Sequence, residues 1–319
     1  MSKPRIFTFG CSFTNHQAWP TWADIIEKEY SNRYKLENWG REGACNYFVF
    51  NSIIECDIKN KINKDDIVIV MWTSISRESR YVAGDWITPG SIYNNRGVYP
   101  DEYVKRFADD RGYMIRDYSL IYSIDNLLKN IGCKYYFLSM IDLENADEKD
   151  ILKPKNHDLI KNYYTVLAKV RPSVHNIVFN ENWYSRPNIK KDFSGLSERY
   201  KEKFLDHYNE IKDQYNNFSG SDWPTFEDYY KDNYTNISQE IKTEISFLEK
   251  KLNWNIIKKD FYRFDIHPTP AEHLMYINNT LPEFEISKST IDWVDLIDKK
   301  ILNCEKINKY WVNTIVKRW

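Results

Sequence analysis

The run Asp66-Ile67-Val68-Ile69-Val70-Met71-Trp72 most limits what this chain can become. After its opening Asp it holds no polar residue, so it lacks the alternation of a strand with one wet face. Such a strand is buried on both sides, as in a parallel sheet covered by helices. The polar Asn63-Lys64-Asp65 introduces it. Comparable runs are Ile6-Phe7-Thr8-Phe9, the shorter Tyr34-Lys35-Leu36-Glu37-Asn38, and Lys134-Tyr135-Tyr136-Phe137-Leu138-Ser139-Met140. Between them, residues 19–30, 46–58 and 117–131 have helical spacing, and Gly132 stops the last. Strands alternating with helices predict a parallel sheet with helices on both faces.

Two stretches interrupt this rhythm. Residues 74–116 mix Arg, Asp, Gly and aromatic residues, including Trp86, and a long segment of this kind is usually functional or mobile. Residues 145–255 are polar and rich in Tyr and Lys, with helical windows at 196–215 and 226–252. The expected organisation is the first part of an α/β domain over 1–144 and a helical insert over 145–255. The last strand and an Asp-x-His block follow over 256–285, and a helical tail over 286–319 carries Trp293, Trp311 and Trp319.

Composition removes several function classes. Forty-five basic side chains against 46 acidic ones leave a net charge of −1, with no footprint for nucleic acid or an anionic membrane. No apolar run nears the ~18–20 residues that span a bilayer. The first residues enter a strand directly, without a signal peptide, so a cytoplasmic protein is expected. Five cysteines with no C-x-x-C pair argue against a disulfide scaffold or zinc knuckle and for free thiols. Little Gly with abundant Lys, Asn, Ile and Tyr points to an AT-rich coding genome, as in some viruses.

Two motifs carry chemistry. Gly10-Cys11-Ser12-Phe13-Thr14 directly follows the first strand, which places the Ser12 hydroxyl at the carboxyl end of a sheet, where open α/β sheets bind ligands. Serine is a weak nucleophile and needs a base within hydrogen-bond reach. Asp265-Ile266-His267-Pro268, followed by Pro270-Ala271-Glu272-His273, sets an imidazole on a stiff loop before a helix. Asp265 can orient it, and His273 reads as structural. His267, His273 and Asp265 lack a further ligand, so neither metal nor cofactor is expected.

Gly10-Cys11-Ser12-Phe13 resembles the first block of the SGNH (GDSL-type) hydrolase superfamily, and Asp265-x-His267-Pro268 resembles its last. The order, serine early with Asp and His together and late, agrees. Asn38-Trp39-Gly40-Arg41-Glu42-Gly43-Ala44-Cys45-Asn46 is similar to the block whose glycine lends an N–H to the oxyanion hole; Gly43 matches best, with Gly40 as its competitor. Two positions depart from the pattern. The family's Gly-x-Asn-Asp is replaced by Met71-Trp72-Thr73-Ser74, and Asp265 lies two residues before His267 rather than three, with Phe264 in the usual place.

The resemblance implies a three-layer α/β/α, flavodoxin-like fold and a serine esterase working through an acyl-enzyme. Ser12 is then the nucleophile, His267 the base and Asp265 its orienter. The oxyanion donors are the Ser12 and Gly43 amides, with Thr73 a weak third. Asn46, Trp72, Ser74, Arg77 and Tyr81 border the substrate, for which O-acetyl groups on a carbohydrate are a mild preference. An acyltransferase using the same serine, and a non-catalytic binding or assembly protein of the same fold, remain open alternatives. A homo-oligomer through the C-terminal helix is the partner expectation.

Overall fold

The structure, a computed structural model, describes residues 3–16, 19–93, 98–143, 154–179 and 267–302. Nearly all belong to one compact unit, Met1–Ser185 with His267–Asp298 and Ile307–Trp319. The other unit, Arg186–Ile266 with Lys299–Lys306, lies outside the described residues except for 299–302.

Among the described residues, four parallel strands form the sheet: β1 (Arg5–Phe9), β2 (Lys35–Asn38), β3 (Ile67–Trp72) and β6 (Lys134–Ser139), in the order β2-β1-β3-β6. Ile6 pairs with Ile67 and Phe9 with Val70, while Ile67 to Trp72 run beside Lys134 to Ser139. The expected mainly parallel α/β architecture is the one found.

The apolar runs serve two cores because successive strand residues point to opposite faces. Ile6, Ile69, Met71 and Leu138 pack with Trp22, Ile25 and Ile26 of α1 (Trp22–Tyr30) and with Tyr276 and Ile277 of α6 (Pro270–Thr280). On the other face Phe7, Phe9, Val68, Val70, Trp72 and Phe137 meet Val49 and Ile53 of α2 (Asn46–Asn60). Met114, Tyr118 and Ile121 of α4 (Asp110–Ile131) complete that face. Burying each large apolar side chain contributes roughly 1.5–3 kcal/mol, so a strand lined on both faces is held strongly.

Local signals set the helix ends. α1 begins after Thr21 rather than at Trp19, because Thr21 and Asp24 form a reciprocal capping box. α4 begins seven residues before the expected 117, since the Asp109 carboxylate accepts a 2.6 Å bond from Gly112 N and caps it. The stretch 74–116 resolves into a hairpin of β4 (Arg77–Val82) and β5 (Asp85–Ser91), a short α3 (Asp101–Phe107) and the start of α4.

After β6 the chain forms α5 (Pro154–Leu167) and returns to the sheet. Val170 bridges Phe137 in parallel, and Arg171 N donates to Phe137 O at 2.9 Å. Among the described residues, α5 and the segment after it therefore pack with the α/β unit. The helical windows at 196–215 and 226–252, and the strand expected after 256, lie outside the described residues. The tail supplies α7 (Lys288–Leu302), whose Trp293 packs partly against the first core; Trp311 and Trp319 lie outside the description. Among the described residues no helix is long and apolar enough to cross a membrane, and Cys11, Cys45, Cys56 and Cys133 are free thiols.

Candidate active site

β1 ends at Phe9, and Gly10 turns the chain with φ of +155°. A Cβ at Gly10 would lie 2.1 Å from Thr14 Oγ1 and 3.0 Å from Met71 O, so the turn closes only on glycine. Thr14 N and Asn15 N both donate to Cys11 O, at 2.9 and 3.0 Å, which wraps the backbone around Ser12. Thr21 Oγ1 and Asn38 Nδ2 each donate to Thr14 O at 2.8 Å. Arg41 N donates to Gly10 O at 3.0 Å, and Asn15 Nδ2 to Gly40 O at 2.9 Å, so the loops after β1 and β2 are laced together. Ser12 sits between them, only 6% exposed.

His267 arrives from the far end of the sequence, directly ahead of α6. Thr269 caps that helix, with Glu272 completing a capping box and Pro270 in the first turn. Trp19 Nε1 donates to Pro268 O at 2.7 Å, which pins the loop from the β1 side. The result is a 2.7 Å contact between His267 Nε2 and Ser12 Oγ. With Nε2 unprotonated, the serine hydroxyl donates to it. Phe13 meets the imidazole edge-on at 5.4 Å between ring centroids, and His16 lies nearly flat on it at 4.4 Å and 22°. Asp265 lies outside the described residues.

His273 sits behind this group on α6, fully buried, with its ring edge-on to Phe13 at 6.5 Å. Neither ring nitrogen has a hydrogen-bond partner among the described residues. Burial, followed by the nearby His16 and His267, pushes its pKa well below the usual 6.5, so it is a neutral packing residue.

Gly43 has φ of +68°, and a Cβ there would fall 2.0 Å from Thr88 O. The β4–β5 hairpin thus lies directly on this loop. Thr88 Oγ1 donates to Glu42 O at 2.7 Å, and Arg41 binds both Asp85 oxygens at 2.8 and 3.0 Å. Among the described residues, neither the Ser12 nor the Gly43 backbone N–H donates a hydrogen bond.

Thr73, at the end of β3, is completely buried and turns its hydroxyl to Ala44 O at 3.1 Å. Its proton is engaged by the loop that carries Gly43. Asn46 bridges the same two segments: its Oδ1 accepts from Thr73 N at 2.7 Å, and its Nδ2 donates to Thr73 O at 2.9 Å and to Asp117 Oδ2 at 2.8 Å. Asp117 also accepts from Arg116 Nε at 2.6 Å. Burial raises the Asp117 carboxyl to about 6, opposed by Arg116 and Asn46.

The residues expected to border a substrate divide sharply. Asn46 and Trp72 have no exposed surface; Trp72 packs edge-on against Phe137 in the second core, and both are structural in position. Ser74 is buried, its hydroxyl 3.2 Å from that of Ser76. Arg77 donates to Ala44 O at 3.3 Å and lies 3.3 Å from Met140 Sδ. Only Tyr81 is well exposed, on the hairpin, its ring and that of Trp86 nearly perpendicular with centroids 5.8 Å apart. Sequence reasoning passed over His16 and Trp19 beside His267; their only signal was aromatic character close to Ser12. No group of His, Cys, Asp and Glu among the described residues could hold a metal ion.

No family model matches the chain, and no curated protein matches it. Among solved structures, it is similar to a GDSL-like lipase from Bacteroides thetaiotaomicron, with 17% identity and a TM-score of 0.27 over 55% of this chain and 71% of that one. A second, the Bacteroides fragilis protein called a "putative acylhydrolase", gives 18% identity and a TM-score of 0.28 over 54% and 70%. At such scores the overlays carry no weight for the chemistry, and the reading of the site rests on its own geometry.

Proposed function

We propose that this chain is a divergent SGNH-type serine hydrolase that cleaves an ester through an acyl-enzyme. One observation carries the reading: Ser12 Oγ lies 2.7 Å from His267 Nε2, within reach for direct proton transfer. In the proposed reaction Ser12 Oγ attacks the ester carbonyl as its proton passes to His267. The Ser12 and Gly43 amides are the donors to the developing oxyanion, without the side-chain donor that the family's Asn supplies. The tetrahedral intermediate collapses, the alcohol leaves with the proton from His267, and water repeats the sequence to release the acid.

The proposed orienter of His267 is Asp265. O-acetyl groups on a carbohydrate remain the favoured substrate, with Tyr81 and Trp86 of the hairpin as the aromatic surface for the sugar. Thr73 is proposed to brace that loop through Ala44 O rather than to donate to substrate. The decisive experiment is fluorophosphonate labelling followed by peptide mapping, alongside hydrolysis of short p-nitrophenyl esters. An adduct on Ser12, absent from Ser12→Ala, with hydrolysis lost in the same variant, is the expected result. Equal hydrolysis by the variant and the parent would sink the proposal.

A further inference from the structure

The base is held by more than its own loop. His16 lies against the face of His267, with ring centroids 4.4 Å apart and planes 22° apart. Trp19 meets His16 edge-on at 4.7 Å, while its indole Nε1 donates to Pro268 O, the carbonyl one residue beyond the base. These contacts close a circuit: Trp19 to His16, His16 to His267, and Pro268 back to Trp19. Glu42 Oε1 stands 3.7 Å from His16 Nδ1, on the loop that also carries Gly43. Both His16 and Trp19 are almost fully buried.

From this geometry we infer that His16 is a positioning residue for His267: its ring sets the plane of the imidazole, and Trp19 locks the pair. The inference rests on the proposed role of His267 as base. Physically, an imidazole ring can rotate about its last side-chain bond, and that torsion is broad. A neighbour lying flat on one face, with Phe13 at a steep angle beside the ring, holds it in one plane, and the contact with Ser12 Oγ selects the flip in which Nε2 addresses the serine. Catalytic geometry is steep, because misplacement of a reacting group by about 1 Å can cost about 10²-fold in rate. His16 touches neither substrate nor the transferred proton in this scheme; it acts through the ring it covers.

Two substitutions at position 16 separate the ring from its polar atoms. His16→Phe keeps a flat face, whereas His16→Gln keeps polar atoms without one. The readout is the second-order rate of Ser12 labelling by a fluorophosphonate, with melting temperature followed in parallel. His16→Ala and His16→Gln should slow labelling roughly 10–100-fold, and His16→Phe should restore most of it. Trp19→Phe, which keeps an aromatic edge but removes the donor to Pro268 O, should slow labelling in a protein that still folds. Labelling of His16→Ala within twofold of the parent would overturn the inference, as would rescue by Gln but not Phe. A parent chain that never labels Ser12 would instead remove the hydrolase reading on which the inference stands.

Discussion

Ser12 Oγ and His267 Nε2 come within 2.7 Å although 255 positions separate them in sequence. The meeting is built from both sides. The Gly10 turn and the Cys11 carbonyl fix the serine, and a capped helix start with a hydrogen bond from Trp19 fixes the histidine.

Removing the proposed base should therefore be costly in rate and cheap in stability. His267→Ala leaves the Thr269–Glu272 capping box and the Trp19–Pro268 bond in place, so its melting temperature should stay near that of the parent. Its ester hydrolysis should fall roughly 10²–10⁴-fold, the usual contribution of a positioned general base. Steady-state hydrolysis and a thermal melt on the same sample check both halves.

Asn46 is expected to matter through the loop it holds. Asn46→Ala strands the Thr73 amide and leaves Asp117 Oδ2 without its neutral donor, both fully buried. Each buried group left unmade costs about 1–3 kcal/mol, so urea unfolding should show a loss of at least that size. Turnover should fall too, since Thr73 braces Ala44, the neighbour of Gly43. Full stability in Asn46→Ala would show that the network is not holding the loop.

Gly43→Ala tests the hairpin as much as the proposed oxyanion hole. An alanine must adopt φ of +68° with its methyl 2.0 Å from Thr88 O, so the hairpin or the loop has to move. Left-handed strain alone costs on the order of 1–3 kcal/mol. Lower melting temperature and lower turnover should appear together. Turnover lost at unchanged melting temperature would contradict the close approach to Thr88.

Sequence reading reached the parts whose physics is local or periodic. The strand at 67–72 was legible because unbroken apolarity between polar flanks suits a strand buried on both faces, and Ser12 because its place after β1 is a place in the sheet. His267 was legible from the prolines that stiffen its loop. Trp72 misled because an aromatic residue at a strand end resembles a binding platform. Its parity with Val68 and Val70 is what puts it in the core beneath α2 and α4. The β4–β5 hairpin was hidden because Arg77-Glu78-Ser79-Arg80 reads as polar loop, and its pairing is rewarded by contacts far away in sequence, with the 41–45 loop and with Arg116 of α4. The first turns of α4 were hidden by Gly112, which Asp109 makes tolerable through its cap. Asn46 was expected at the substrate border, since one asparagine can cap, face solvent or pin two loops, and only the fold selects the last.

His273 should leave a signature in the pH dependence of stability. Its folded pKa is depressed well below 6.5, chiefly by burial, so the native state keeps it neutral while the unfolded chain takes up a proton below 6.5. Its contribution is therefore fully present above pH 6.5 and is lost as pH falls, by about 1.4 kcal/mol per unit until the folded pKa is reached. Asp24 works in the opposite sense. Burial raises its carboxyl to about 7, so the native state binds a proton that the unfolded chain releases, and stability from this group grows as pH falls from 7 towards 3.8. In the parent the two slopes offset each other between pH 6.5 and 5, and the melting temperature should change little from this pair. His273→Phe removes one slope and leaves the other. The difference in unfolding free energy between variant and parent should then move in favour of the variant by about 1.4 kcal/mol for each unit below 6.5, whatever the fixed packing cost of the larger ring. Urea titrations of both proteins at pH 7.5, 6 and 5 measure that difference directly. A constant difference across the series would mean that His273 is protonated inside the fold and that its burial is relieved by a partner.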